Sequence, residues 1–220
     1  PTGEPQAPAE DLAPVDDLMA HLIKENGEVN ETVKYLGRAN NHWIAVPATV
    51  GSQIKGPCSR IDLLKKHAGI DIQAMYPAGS APKADNWNLD MFLKAAEACN
   101  KAGAAFGVGL GTTSDSVDSA GAFFHAHGAM LVNEKGDITV KSDPVRQALE
   151  FCKKFYSLCP PDAPAWDDSS NNKWLVSGKG AMIFNPPSAW AVAKRDAPQI
   201  AEQCWTHGFP MGPKGRYAPF

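Results

Sequence analysis

No apolar run in these 220 residues approaches the ~20 needed for a membrane-spanning helix. Residues 1–14 contain no hydrophobic signal core, so the expectation is a chain that is cytosolic or already processed. There is no polybasic stripe: the formal charge is only −3 and the basic residues are scattered. Nucleic acid is therefore not an expected partner. No C-x-x-C pair occurs among the five cysteines (Cys58, Cys99, Cys152, Cys159 and Cys204), which argues against a structural zinc site or a thioredoxin-type motif. Neither G-x-S-x-G nor H-E-x-x-H is present, and nothing in the chain demands catalysis. Gly107-Val-Gly-Leu-Gly111 lacks the G-x-G-x-x-G spacing, and a threonine-rich loop stands where a dinucleotide site needs a helix start. Ser177-Gly-Lys-Gly180 lacks the Walker spacing and reads as a helix-ending turn. His125 and His127 sit two apart in a helical stretch, where they face different ways, so no metal site is expected. No cofactor is expected either.

The chain alternates helical and strand-like segments, which implies an α/β layered architecture. Residues 1–10 are rich in proline and polar groups and read as loose. Helices are expected over residues 11–24, from Ser59 as N-cap to Gly69, from Asn88 as N-cap to Gly103, over 120–127, and from Asp143-Pro144 onward. A second short helix or turn is expected over 30–37, and 48–56 reads as a small-residue crossing segment. Strands are expected over 43–46, 105–110, 181–184 and 203–210, with a hairpin around Asn133–Asp137. Residues 111–116 form a polar loop in this reading. Cys152 and Cys159 would share one helix two turns apart, about 10.5 Å along its axis, too far for a disulfide. Phe106–Leu110 and Ala181–Phe184 should lie in one sheet.

The stretch from Gly178 to Trp190 holds the chemistry. A glycine turn leads into a buried strand, then Asn185-Pro-Pro-Ser188 and Trp190. The two prolines hold the backbone extended. In open α/β sheets, ligands sit beyond the carboxyl ends of strands, so this elbow is a candidate binding site. The alternative is an ordinary strand-to-helix loop with Trp190 as a packing anchor. Trp43, Trp166, Trp174, Trp190 and Trp205 all lie at or near polar loops. An indole face beside Asp, Asn, Ser and Thr suits sugar recognition, apolar for C–H groups and polar for hydroxyls. Most of these tryptophans belong to the core in this reading, with two left to touch a ligand. Asp167 and Asp168 are adjacent and should point apart, a poor acid/base pair.

The runs DPVRQALEFCKKFY, WDDSSNNKW, SGKGAM and FNPPSAW, in that order over 143–190, resemble the extracellular solute-binding proteins of ABC importers, in their sugar-binding, maltose-binding-like group. HWIAVP, SRIDLLKKHAGID, NWNLDMFLKAAEACNKAG, HGAMLVNEKGDITV and HGFPMGPKGRYAPF extend the likeness to roughly residues 11–220. The resemblance implies a periplasmic-binding-protein-like type II fold of two α/β lobes. Residues 1–50 would be a remnant of the first lobe with its crossing strand. Residues 51–209 would be the ligand-binding second lobe, and 210–220 the start of the return crossing. It also implies a non-catalytic periplasmic monomer that delivers a saccharide to inner-membrane permease subunits. Carried over by position, Asn185, Ser188 and Trp190 form the binding elbow, Asp168 faces the ligand, and Thr113, Asp115 and Asp118 lie in the loop after the glycine strand. Ser188 stands where relatives often place a stacking aromatic, which would pass that role to Trp190 or Trp166. A polyamine or other cationic solute is the alternative ligand, since Asp115, Asp118 and Asp168 beside tryptophan also suit a cation. A carbohydrate-active enzyme is the rival class and would need two carboxylates about 5–10 Å apart across a cleft.

Overall fold

The computed structural model describes residues 11–47, 55–82, 86–185 and 188–218, which fall into two compact units. The expected loose terminus at 1–10, most of the crossing segment at 48–56, and Pro186 and Pro187 lie outside the described residues.

The first unit holds helix α1 (Asp16–Asn26), helix α2 (Glu31–Gly37) and a two-stranded hairpin, β1 (Arg38–Ala39) with β2 (His42–Trp43). Asn30 caps α2 by accepting from the Val33 amide. Asp16 ties α1 to the hairpin, accepting from the Trp43 amide at 2.9 Å and pairing with His42 at 2.8 Å. The hydrogen bond from the Trp43 amide, then that of His42, hold the Asp16 carboxyl below its ordinary range. The expected strand at 43–46 is therefore displaced toward the turn at Asn40-Asn41, both of which take positive φ.

The second unit begins with β3 (Pro57–Arg60). Helix α3 (Ile61–Leu63) follows and passes into a π-helical turn, Leu64–Ala68, closed by Gly69 at φ +68. Then come α4 (Ile72–Met75), α5 (Leu89–Lys101), β4 (Phe106–Gly107), α6 (Ser114–His127), α7 (Asp143–Tyr156), α8 (Ser170–Val176), β5 (Met182–Phe184), α9 (Ser188–Asp196), α10 (Pro198–Ala201) and β6 (Cys204–Thr206). The sheet order is β4-β5-β3-β6, with β4 and β5 parallel and β3 antiparallel to both its neighbours. Strands β4, β5 and β6 thus point their carboxyl ends to one edge, where the amino end of β3 also lies. The strand around Phe106 and the strand at 182–184 are hydrogen-bonded neighbours, as their apolar runs predict.

Three local expectations are corrected. Ser59 lies inside β3 rather than capping a helix, because β5 and β6 pair with that strand from both sides. Helix α6 starts at Ser114, not near 120, and Thr113 is its N-cap. Helix α7 ends at Tyr156, so Cys159 lies past it in a turn; Cys152 and Cys159 are both buried and both free.

The core is built around Phe92 of α5, whose ring lies 4.7–6.3 Å from those of Phe106, Phe123, Phe151, Phe155, Phe184 and Trp87. On the sheet's flank, Trp174 of α8 donates its Nε1–H to the Ala105 carbonyl at 3.0 Å. Its indole lies so close to Gly107 and Gly180 that a Cβ at either would overlap it. Both glycines are therefore demanded by close approach.

A polar bond crosses between β3 and the end of β6. The His207 ring donates through Nδ1 to the Gly208 carbonyl (3.0 Å), which leaves Nε2 to accept from the Ser59 hydroxyl at 2.8 Å. Burial pushes the His207 imidazole down to about 3. The folded chain thus refuses a proton that the unfolded chain accepts below about 6.5, so stability is lost as pH falls through that range. We expect unfolding free energy to drop by about 2 kcal/mol between pH 7 and pH 5. Urea titrations at the two pH values check this, and His207→Gln should flatten the dependence whatever its own stability.

Candidate functional site

The loops that follow β4 and β5 converge on Asp115, in the first turn of α6. Its carboxylate is nearly buried. Oδ1 accepts from the Lys55 ammonium at 2.8 Å, and Oδ2 accepts from the Asn171 amide at 2.7 Å. Lys55, just before β3, also reaches Asp118 at 2.6 Å. Burial alone would lower the Lys55 ammonium, but its hydrogen bonds to the two aspartates outweigh that and hold it above its ordinary value.

Asp168 comes from the loop before α8 and sits on the amino end of α6. It accepts from the Ser114 hydroxyl at 3.2 Å and the Asp115 amide at 3.3 Å. A carboxylate there satisfies an orphan donor and complements the helix dipole. Asp167, its neighbour, turns the other way and binds Ser169 and Ser170; these bonds pull its carboxyl down to about 2. The two aspartates thus have separate tasks.

The β5 elbow joins the same group. Asn171 also donates to the Phe184 carbonyl at 3.4 Å, and Asn185 donates to the Asn172 side-chain oxygen at 3.3 Å. Ser188, at the start of α9, donates to the Asn185 side-chain oxygen at 3.1 Å. Six of the residues singled out from sequence therefore meet in one region: Thr113, Asp115, Asp118, Asp168, Asn185 and Ser188. Lys55, Ser114, Asn171 and Asn172 were missed. The available signal was modest: Lys55 is the only lysine or arginine between Arg38 and Arg60, and the paired asparagines follow closely on Asp168.

The two tryptophans go elsewhere. Trp166 is buried, its ring centroid 5.7 Å from that of Trp174, and it lines a separate hollow of about 300 Å³ with Lys173 and Lys179. Packing between Trp174 and Gly107 draws it inward. Trp190 is 41% exposed, with the Lys194 ammonium 5.0 Å from its ring. It lines a groove of about 560 Å³ along β6 with Tyr76, Ser80, Trp205, Thr206 and His207. Two of the groove's aromatics are fixed to each other, since the Trp205 indole donates to the Tyr76 carbonyl at 2.8 Å.

Among the described residues no group of three or more His, Cys, Asp or Glu side chains is arranged to hold a metal. His127 is turned onto the Phe123 carbonyl at 2.8 Å, and His125 stacks on Tyr217. Nor, among them, is any helix long and apolar enough to cross a membrane.

Removing Lys55 would leave two carboxylates together with no cation between them. Lys55→Met should destabilise the chain by about 1–3 kcal/mol in chemical denaturation. Adding Asp115→Asn should recover part of that loss, because the repulsion goes with the charge. Additive effects of the two changes would contradict the coupling.

No protein-family model and no curated protein sequence matches the chain. Solved structures do match. Maltose-bound MalE3 of T. maritima aligns with TM-score 0.67 at 19% identity, over 94% of this chain and 50% of its own. A sugar transporter of Arthrobacter chlorophenolicus A6 with bound laminaribiose gives 0.69 at 18%, over 94% and 49%. The GacH receptor of Streptomyces glaucescens, solved unliganded and with acarbose, gives 0.62 at 23%, over 94% and 49%. The chain spans about half the length of these structures. It has the periplasmic-binding-protein-like type II fold of the sugar-type solute-binding proteins of ABC importers.

Proposed function

We propose that this chain forms the main ligand-contacting part of a solute-binding protein that captures a neutral saccharide. In this reading the intact protein is a non-catalytic periplasmic monomer that delivers the sugar to an ABC permease. Residues 51–209 make up one ligand-binding lobe, residues 1–50 belong to the other, and 210–220 begin the return. The solved structures with the same fold hold maltose, laminaribiose and acarbose, which supports the class of ligand.

The observation that carries the reading is the pairing of the acidic side chains. Three carboxylates at the end of a sheet would suit a polyamine if they were free. Here Lys55 is already bound to Asp115 and Asp118, and Asp168 is occupied by a helix amino end. The chain supplies its own cation. What it offers outward is the remaining acceptor capacity of these oxygens, with the Asn185 amide and the Ser188 hydroxyl beside them. That mixture of fixed acceptors and donors suits hydroxyl groups. Each neutral hydrogen bond to a sugar is worth ~1 kcal/mol net, and one to a carboxylate ~1.5–3. Trp190 lines the neighbouring groove along β6 and not the Asp115 cluster, so in this reading an oligosaccharide reaches from the elbow across the first turn of α9 to lay a further ring on that indole.

Thermal melts with a panel of maltose, laminaribiose, acarbose and spermidine test the reading. An oligosaccharide should raise the midpoint by mass action, and spermidine should leave it unchanged. Trp190→Ala should weaken the sugar's effect at least tenfold, or about 1.4 kcal/mol, without lowering the unliganded midpoint. A shift with spermidine alone would replace the saccharide by a cationic solute.

A further inference from the structure

Cys58 and Cys204 stand on adjacent antiparallel strands. In the β3–β6 register Cys58 faces Thr206 and Cys204 faces Arg60, so the two cysteines are diagonal neighbours on one face. Both belong to one small buried cluster with Leu175, Ile183 and Ala189. On that shared face each thiol acts on the other's proton affinity. Their environments nevertheless differ. Cys58 is fully buried, whereas Cys204 lines the 560 Å³ groove that Trp190, Trp205 and His207 share.

The pairing divides the two thiols chemically. Interaction with Cys204, together with burial, pushes the Cys58 thiol well up; interaction with Cys58, with Arg60 nearby, draws the Cys204 thiol down despite burial. Cys58 is then the proton holder and Cys204 the sulfur that becomes thiolate first. As a thiol, Cys204 donates a hydrogen bond to the Ile200 carbonyl at 3.2 Å. Among the described residues no second thiol acts on the other three cysteines. Burial pushes Cys99 and Cys152 up to about 11 and Cys159 up to about 12.

We infer that Cys58 and Cys204 form a redox-modification site: Cys204 exchanges with a small dialkyl disulfide that enters the groove, and Cys58 then closes a Cys58–Cys204 bridge. The Cys204 thiolate attacks one sulfur of the reagent, the reagent's S–S bond breaks, and one thiolate leaves. The Cys58 sulfur next attacks the Cys204 sulfur of that mixed disulfide and expels the second thiolate, which takes up the proton that Cys58 gives up. The chain loses two electrons and two protons, and the reagent is reduced to two thiols. The diagonal gap must shrink to disulfide distance; because β6 pairs with no strand but β3 among the described strands, that adjustment is confined to the β3–β6 ladder and its Ser59–His207 tie. The bridge locks the strand that carries the groove and links positions 146 residues apart (204 minus 58), which restricts the unfolded chain. This site is independent of the saccharide reading.

The test is incubation of the whole chain with oxidised glutathione, followed by alkylation of remaining thiols under denaturing conditions and peptide mass spectrometry. The expected product is a Cys58–Cys204 linked peptide two hydrogens lighter than its parts, with Cys99, Cys152 and Cys159 fully alkylated. The thermal midpoint should rise on oxidation and return with reductant. In Cys58→Ser the reaction should stop at the glutathione adduct on Cys204, and Cys204→Ser should take up no glutathione. A wild-type chain in which both thiols stay alkylatable, or in which glutathione is spread over all five cysteines, overturns the proposal without reference to either variant.

Discussion

The ion pair between Lys55 and Asp115 is the constraint on which the rest of the candidate site depends. A nearly buried carboxylate is costly unless both oxygens are matched. Asp115 meets that requirement with a cation from just before β3 on one oxygen and an amide from α8 on the other. Each partner is thereby located. Lys55 brings Asp118 into the group, and Asn171 reaches on to the last carbonyl of β5. Asp168 then closes the amino end of α6. Three loops from distant parts of the sequence are fixed against one another by a handful of charge-assisted bonds.

The sheet makes this possible. Parallel β4 and β5 deliver their following loops to the same edge, and antiparallel β3 begins there. A polar cluster at that edge needs no long excursions of chain. Behind it, the phenylalanines packed on Phe92 and the indole of Trp174 between Gly107 and Gly180 hold the strands at fixed spacing. The site is preorganised by apolar contacts it does not share. A second polar tie, Ser59 to His207, does the same service between β3 and β6 beside the groove.

Much of this was legible in the sequence, and the failures have identifiable causes. Asn30 and Asn88 announce helix starts because their side chains cap locally, and Gly69 marks a stop for the same reason. The apolar runs at 105–110 and 181–184 locate two strands because burial leaves them no polar face, but only Phe106–Gly107 of the first run is paired as strand. The start of α6 lies earlier than its apolar pattern predicts because its amino end is completed by Asp168, 53 positions away from the amide it accepts from. The local pattern at Ser59 fits a cap; only the flanking strands make it a buried strand residue. Trp166 stands in a polar loop, which suggests a ligand contact, yet its ring packs on Trp174 and Gly107, which only the folded chain brings near. Lys55 went unnoticed because an isolated lysine has no pattern until its partners are assembled.

The claim at the centre of this account is that the Asp115 cluster and the β5 elbow form one surface for a neutral sugar. Amide chemical shifts of the labelled chain during titration with an oligosaccharide examine it most directly. Signals of Thr113, Asp115, Asp118, Asp168, Asn185 and Ser188 should move together with one saturation curve, while spermidine moves none of them. Shifts confined to residues outside this group, or a response of these signals to spermidine and not to sugar, would contradict it.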